Sequence, residues 1–184
     1  MAKRVCPWWL GYLLASPVRR VLHDPAKILA LYIHEGMTVL EPGPGMGFFT
    51  LELARRVGPS GRVVAVDVQA KMIGGLKRRL ARKGLLERVD ARVTPGDSMG
   101  LRDLAGKVDF ALAFAVVHEM PAMDPFFIEV AEALRPGASF LLVEPAGHVS
   151  AIEFEEEVRA AHHAGLSLSD RPSIRRSRAA LFKK

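Results

Sequence analysis

The chain has little cysteine: Cys6 is the only one among 184 residues. A single cysteine excludes an intramolecular disulfide and any zinc site built on a Cys-x-x-Cys pair. Sparse cysteine is typical of proteins in a reducing compartment, so we expect a cytoplasmic location. With 49% apolar residues the chain can bury a substantial core, and its length predicts one domain spanning residues 1–184.

Long hydrophobic runs are absent as well. The uncharged stretch from Val5 to Val18 has fourteen residues, fewer than the ~18–20 that a membrane-spanning helix needs. Basic residues before it imitate a signal peptide, but a proline, two adjacent tryptophans and an Arg-Arg pair argue against one. We interpret residues 1–32 as an N-terminal lid or entry segment, with a protein interface or a membrane contact as alternatives. As a lid, it would bring three aromatic residues to the substrate: Trp8, Trp9 and Tyr12.

Acidic residues are in the minority. There are 26 Lys and Arg residues against 20 Asp and Glu residues, so the formal charge is +6. This balance keeps nucleic acid or another anionic surface open as a partner, although it carries no information about the fold. The cations cluster from Lys71 to Arg92 and from Arg171 to Lys184. Because both clusters alternate with apolar residues, we interpret them as solvated faces.

Strand-like and helix-like patterns alternate from residue 33 to the end of the chain. The predicted strands are Thr38–Glu41, Arg62–Val68, Val89–Thr94, Asp109–Val117, Ser139–Glu144, Leu166–Ser169 and Ala179–Phe182. The predicted helices are Asp24–Tyr32, Met46–Val57, Ala70–Leu85, Asp124–Leu134 and Ser150–Ala164. Such alternation predicts an α/β fold with a doubly wound, mostly parallel sheet and right-handed crossovers.

The residues that follow the first strand form a glycine-rich loop. Glu41 is followed by Gly43, Gly45 and Gly47 at alternate positions, and a helical pattern begins there. Glycines allow a positive φ and a close approach of backbone to ligand, while the first amides of a helix favour an anionic group. Twenty residues after Gly47, Asp67 follows the apolar run of the second strand, a spacing typical of an acid that binds ribose hydroxyls. Residues 33–184 are therefore predicted to be a cofactor-binding core.

The acid at the head of this loop distinguishes two classes of cofactor. A nicotinamide or flavin site favours G-x-G-x-x-G with no acid before it, and Glu41 would repel a pyrophosphate. A carboxylate suits a ligand that carries a cation. S-adenosylmethionine carries an ammonium and a sulfonium and has no phosphate, so it fits better, and a nicotinamide dehydrogenase is the weaker alternative.

Several motifs resemble those of the class I S-adenosylmethionine-dependent methyltransferases. Residues 41–47 look like their first motif, residues 64–67 like the strand that ends in the ribose-binding acid, and residues 96–98 like the segment that faces the adenine. The resemblance implies a seven-stranded Rossmann-like sheet with a C-terminal antiparallel hairpin. It also implies cofactor contacts for the following residues: Glu41, Gly43, Gly45, Gly47, Asp67, Gln69, Met72, Asp97 and Ser98. Within the family, the chain looks closest to small-molecule methyltransferases of the quinone-biosynthesis and metalloid-methylating type.

Methyl transfer from a sulfonium needs alignment above all, and it needs a general base only if the acceptor must lose a proton. His118 follows the fourth strand, where the acceptor should lie, and is the candidate base or substrate contact; a structural histidine is the alternative. His148 is a second substrate candidate. We expect no metal site, and a soft metal held by Cys6, His118 and His148 is a minor alternative.

Other functions stay open on the sequence alone. An RNA or protein methyltransferase would agree with the positive charge. However, residues 116–119 do not form the Asn/Asp-Pro-Pro-Tyr/Phe tetrapeptide that relatives which methylate bases place after the fourth strand. A cofactor-binding subunit of a complex, without catalytic activity, is a further alternative, and a homo-oligomer is possible.

Overall fold

The computed structural model describes residues 22–96, 98–120 and 122–184. Trp8, Trp9, Tyr12 and Cys6 lie outside these ranges, as does Asp97. The strands are β1 (Thr38–Pro42), β2 (Arg62–Asp67), β3 (Val89–Val93), β4 (Val108–Phe114), β5 (Leu134–Pro145), β6 (Ser167–Asp170) and β7 (Ser177–Lys183). The helices of the described ranges are α1 (Pro25–Leu29), α2 (Thr50–Arg56), α3 (Ala70–Arg82), α4 (Met123–Ala133) and α5 (Ala151–His163).

The strands form one sheet in the order β3-β2-β1-β4-β5-β7-β6. Strands β1 to β5 pair in parallel, while β7 pairs antiparallel with both β5 and β6. This arrangement confirms the predicted mostly parallel seven-stranded sheet with its C-terminal hairpin. The strand order reverses between β1 and β4, and ligands of such sheets bind beside that reversal, at the carboxyl ends of the strands.

Two apolar layers cover the sheet. Leu29, Leu53 and Leu76, from helices α1, α2 and α3, belong to one buried cluster. Phe127 and Phe154, from α4 and α5, belong to the other. Fully burying such a side chain contributes about 2–3 kcal/mol, so the sheet with helices on both faces is the arrangement that removes most apolar surface from water.

Two helix starts agree with their sequence signals. Asp24 caps α1 by accepting a hydrogen bond of 3.0 Å from the Ala26 amide, and Pro25 occupies the first turn. Ser150 and Glu153 form a reciprocal capping box at α5, with hydrogen bonds of 3.2 and 2.8 Å. Each cap satisfies amides that have no partner within the helix.

The second predicted helix is wrong at its start. It was expected to begin at Met46, but α2 begins at Thr50, because Gly45 and Gly47 have φ values of +54° and +86°. A helix cannot contain left-handed residues. The intervening residues form a turn in which the Gly47 amide donates to the Pro44 carbonyl at 2.9 Å.

The bounds of the central strands also differ from prediction. Strand β4 ends at Phe114 rather than Val117, since Ala115 takes a left-handed φ of +58°. Strand β5 begins at Leu134 rather than Ser139, because Leu134 already pairs with Val108 and the register shifts before Ser139. No helix in the described ranges is both long and apolar enough to cross a membrane.

Candidate functional site

The carboxyl ends of four neighbouring strands carry the polar residues of the candidate site. Glu41 lies in β1, Asp67 ends β2, and Glu144 lies one residue before the end of β5. His118 lies in a short 3-10 turn, Val117–Glu119, that follows β4. Because β1 lies between β2 and β4, the parallel pairing brings these residues to one edge of the sheet.

The glycine loop after β1 has the backbone conformation that its sequence predicts. Gly43, Gly45 and Gly47 all have positive φ, at +66°, +54° and +86°. A Cβ built on Gly43 would lie 2.4 Å from Cγ2 of Val116, so only glycine lets the loop touch the turn after β4. A Cβ on Gly45 would meet no atom of the described residues within 4 Å, apart from its two neighbours along the chain. Gly45 therefore presents backbone that a ligand can approach closely.

Glu41 is a buried acid with an unused acceptor. Glu41 is only 4% exposed, and burial raises the pKa of its carboxyl group to about 7. The nearby Thr50 hydroxyl lowers the pKa in part, although it does not reach hydrogen-bond geometry, and Oε2 has no partner in the part of the chain described. A buried carboxylate oxygen without a donor is costly, and a cationic ligand would relieve that cost.

Asp67 also has a raised pKa, at about 6. Burial is the main cause, and the charge of Glu119 adds to it, while the backbone amides of Gln69 and Gly45 lower the pKa. Oδ1 accepts a hydrogen bond of 2.8 Å from the Gln69 amide at the start of α3. Asp67 therefore lies between the glycine loop and the residues that follow β2.

Three other predicted cofactor residues, Gln69, Met72 and Ser98, follow strands β2 and β3. Gln69 is the N-cap of α3, and Met72 is buried in the first turn of that helix. Ser98 is exposed, donates to Glu129 of α4 at 3.3 Å and accepts from the Gly100 amide at 3.0 Å. These contacts hold the segment after β3 against α4, on the side of the sheet opposite α3.

A fully buried carboxylate supports the turn that carries His118. Glu144 is 0% exposed, and its Oε1 accepts from the amides of Val116 and Val117 at 3.2 and 2.8 Å. Its Oε2 forms a short contact with Nδ1 of His118. The His148 ring lies edge-on to the His118 ring, with centroids 5.8 Å apart. The two predicted substrate histidines are therefore neighbours.

The chain is similar to several known proteins. A family model described as "Methyltransferase domain" matches residues 33–170. The chain is 28% identical over 112 residues to the ubiquinone/menaquinone biosynthesis C-methyltransferase UbiE of Hydrogenovibrio crunogenus, covering 61% of this chain and 43% of that protein. It is 32% identical over 102 residues to the arsenite methyltransferase of Halobacterium salinarum, covering 55% of this chain and 25% of that protein.

The chain belongs to the S-adenosylmethionine-dependent methyltransferases. A solved methyltransferase of this kind from Aquifex aeolicus superposes with a TM-score of 0.86 at 25% identity and covers 97% of this chain and 98% of the other. S-adenosylmethionine is the methyl donor typical of the family. This methyltransferase chain spans less than half the length of the two curated relatives described above.

The sequence predicted that Glu144 ends the fifth strand of this methyltransferase sheet but assigned it no role. The structure makes it the partner of His118 and of two backbone amides. An acid at the carboxyl end of a strand adjacent to the histidine-bearing one was the available signal. Within the described ranges, no group of three or more His, Cys, Asp or Glu residues is arranged to hold a metal ion.

Proposed function

We propose that the protein transfers the methyl group of S-adenosylmethionine to a small-molecule acceptor by in-line displacement. The observation that carries this proposal is the pair of acids on either side of the glycine loop, the buried Glu41 and the partly buried Asp67. Both have raised pKa values because burial disfavours their charge. A ligand with a cation and with hydroxyl donors supplies what both acids lack.

In this proposal the cofactor's ammonium binds Glu41 and its ribose hydroxyls donate to Asp67. Gly43, Gly45 and Gly47 let the loop approach the methionyl end. Gln69, Met72 and Ser98 line the adenine side together with Asp97, which lies outside the described residues. The cofactor supplies an electrophilic methyl group, and the protein supplies alignment, which is worth up to ~7–11 kcal/mol in favourable cases.

The charge around the site supports a small, non-phosphorylated acceptor. Glu41, Asp67, Glu119 and Glu144 all lie near the carboxyl edge of the sheet, although the chain as a whole is basic. A phosphate backbone would be repelled at this edge. Two relatives are named for methylation in quinone biosynthesis and for methylation of arsenite. His118 and His148 are proposed to face the acceptor, and Trp8, Trp9 and Tyr12 remain predicted contacts.

Calorimetric titration with the demethylated cofactor, S-adenosylhomocysteine, tests the proposal. We expect binding to the wild-type protein, and a loss of about tenfold or more for Asp67→Ala, because charge-assisted hydrogen bonds are removed. Asp109→Ala is the matched control, since Asp109 lies at the opposite, amino-terminal end of β4. Absence of binding to the wild type at high micromolar ligand would refute the proposal.

An RNA methyltransferase is the second candidate, because α3 and the residue after it expose a row of cations and no acid. These residues are Lys71, Lys77, Arg78, Arg82 and Lys83. Such a face would bind RNA with an affinity that falls steeply as salt rises. Fluorescence anisotropy with a labelled RNA hairpin at two salt concentrations distinguishes the candidates.

We further propose a cytoplasmic location, as the single cysteine suggests.

A further inference from the structure

Helix α3 packs directly against the glycine loop that follows β1. A Cβ built on Gly47 of the loop would lie 2.5 Å from Cδ1 of Leu76. Gly75 and Arg79 contact the loop as well. Arg79 lies four residues after Gly75 and three after Leu76, so all three share one face of the helix. This face of α3 therefore holds the loop from one side.

Gly75 makes room for the side chain of Met46, the residue between the second and third glycines of the loop. A Cβ built on Gly75 would lie 3.0 Å from Cγ and 3.1 Å from Sδ of Met46. Met46 is 2% exposed, so its side chain is enclosed by protein. A Cβ on the adjacent Gly74 would lie 3.6 Å from Nη1 of Arg78, an ordinary contact with the end of a flexible side chain. The two neighbouring glycines of α3 therefore differ, because Gly75 contacts the loop and the nearest side chain to Gly74 belongs to α3 itself.

Arg79 fixes the backbone of the same loop residue. Its Nη1 donates a hydrogen bond to the Met46 carbonyl. The Gly47 amide belongs to the same peptide group as that carbonyl, and it donates to the Pro44 carbonyl at 2.9 Å. Both polar atoms of this peptide group are therefore held. Because the group is planar, it cannot rotate without breaking one of the two hydrogen bonds.

The amide of Met46 is a donor that the described residues do not use. It has no acceptor among them. The preceding amide, that of Gly45, faces the Asp67 carboxylate and lowers its pKa. An amide without an acceptor is costly in a residue that is nearly buried, and an anionic group of a ligand would relieve that cost. The carboxylate at the methionyl end of S-adenosylmethionine is such a group.

We propose that Gly75 and Arg79 are positioning residues, which hold Met46 so that its amide donates to the methionyl carboxylate of S-adenosylmethionine. This inference rests on the proposed function, since it takes the glycine loop to bind the methionyl end. A loop with three glycines has many accessible backbone conformations, and ordering it on binding would weaken the affinity. Because α3 orders the loop beforehand, cofactor binding does not have to supply that free energy.

The same helix also fixes the ribose side of the site, but it does so through its N-terminus. The Gln69 amide, at the N-cap of α3, donates to Oδ1 of Asp67 at 2.8 Å. Gly75 and Arg79 lie about two and three turns further along the helix. A change at these two positions should therefore disturb the binding of the methionyl end and leave the binding of the ribose intact. That separation distinguishes a positioning role from a general loss of structure.

Two ligands separate these effects: S-adenosylhomocysteine, and 5′-methylthioadenosine, which has the adenosine and the sulfur but no amino-acid end. In calorimetric titrations we expect Arg79→Gln to weaken binding of S-adenosylhomocysteine about tenfold and that of 5′-methylthioadenosine less than about twofold. Arg79→Lys keeps a cationic donor and should recover most of the affinity. Arg88→Gln is the matched control and should bind both ligands as the wild type does, since Arg88 donates to the Ala54 carbonyl of α2, at 3.3 Å.

The two adjacent glycines and amide hydrogen exchange give independent measurements. Gly75→Ala should weaken binding of S-adenosylhomocysteine about fivefold, because its Cβ displaces Met46, whereas Gly74→Ala should bind with the affinity of the wild type. In the unliganded protein, the Gly47 amide should exchange about tenfold faster in Arg79→Gln than in the wild type, because the loop opens more often.

Three results would overturn this inference: equal losses of affinity for the two ligands in Arg79→Gln, unchanged affinity for S-adenosylhomocysteine in that variant, or unchanged exchange of the Gly47 amide. Failure of the wild-type protein to bind S-adenosylhomocysteine would overturn the proposed function instead.

Discussion

Replacing Glu41 by glutamine should make the unliganded protein more stable at high pH. Burial raises the pKa of Glu41 from the ordinary 4.5 to about 7. The folded protein therefore binds a proton more tightly than the unfolded chain does. Stability is highest where Glu41 is protonated in both states, and it falls as the pH rises from about 4.5 to about 7. Glutamine has the same shape and does not ionise.

The size of the effect follows from the pKa shift. Each pKa unit corresponds to about 1.4 kcal/mol, so ionising Glu41 in the folded state costs about 3 kcal/mol at pH 8. At pH 5 the same cost is about 1 kcal/mol or less. The difference in unfolding free energy between Glu41→Gln and the wild type should therefore grow by roughly 2 kcal/mol from pH 5 to pH 8. Asp67 titrates in both proteins, so its contribution cancels.

Urea denaturation at several pH values measures this difference directly. Glu132→Gln is the matched control, because Glu132 is exposed on α4 and its carboxylate stays in water in both states. For that variant the difference from the wild type should not change with pH. A constant difference for Glu41→Gln across the range would refute the reasoning, since it would mean that Glu41 is charged in the folded protein at no cost.

Three other predictions concern the charge of Glu41, the packing of the glycine loop and the cap of helix α5. Binding of S-adenosylhomocysteine to the wild type should tighten as pH rises through about 7, because an ionised Glu41 is needed to bind the ammonium, and calorimetry should find no such rise for Glu41→Gln. Gly43→Ala should lower the unfolding temperature, because its Cβ would lie 2.4 Å from Val116, and Val116→Ala should recover part of the loss. Ser150→Ala should destabilise the fold by about 1 kcal/mol in denaturation curves and leave cofactor affinity unchanged, because it removes only a helix cap.

The order of the elements could be predicted from the sequence because it depends on local patterns. Apolar runs such as the one in β4 and amphipathic stretches such as α3 carry their own periodicity. The caps at Asp24 and Ser150 act within a few residues, so the starts of these two helices agree with the predicted ones. The glycine loop is equally local, since positive φ values at alternate positions require residues without a Cβ.

The element bounds that failed depend on contacts between distant residues. Strand β4 ends at Phe114 because Glu144, thirty residues later, binds the amides that would otherwise continue the strand. Strand β5 begins early because Leu134 meets Val108 across the sheet. Neither contact leaves a signal in the local pattern of apolar residues.

The sequence by itself determined the class of fold, the glycine loop and the two acids that flank it, because these features arise from residue type and short spacing. Only the tertiary structure decided that Glu41 is buried with an unused oxygen and that Glu144 supports His118. Burial and hydrogen-bond direction depend on which strands become neighbours. The packing of the whole sheet determines which strands become neighbours, and therefore how deeply these carboxylates are buried and which donors they meet.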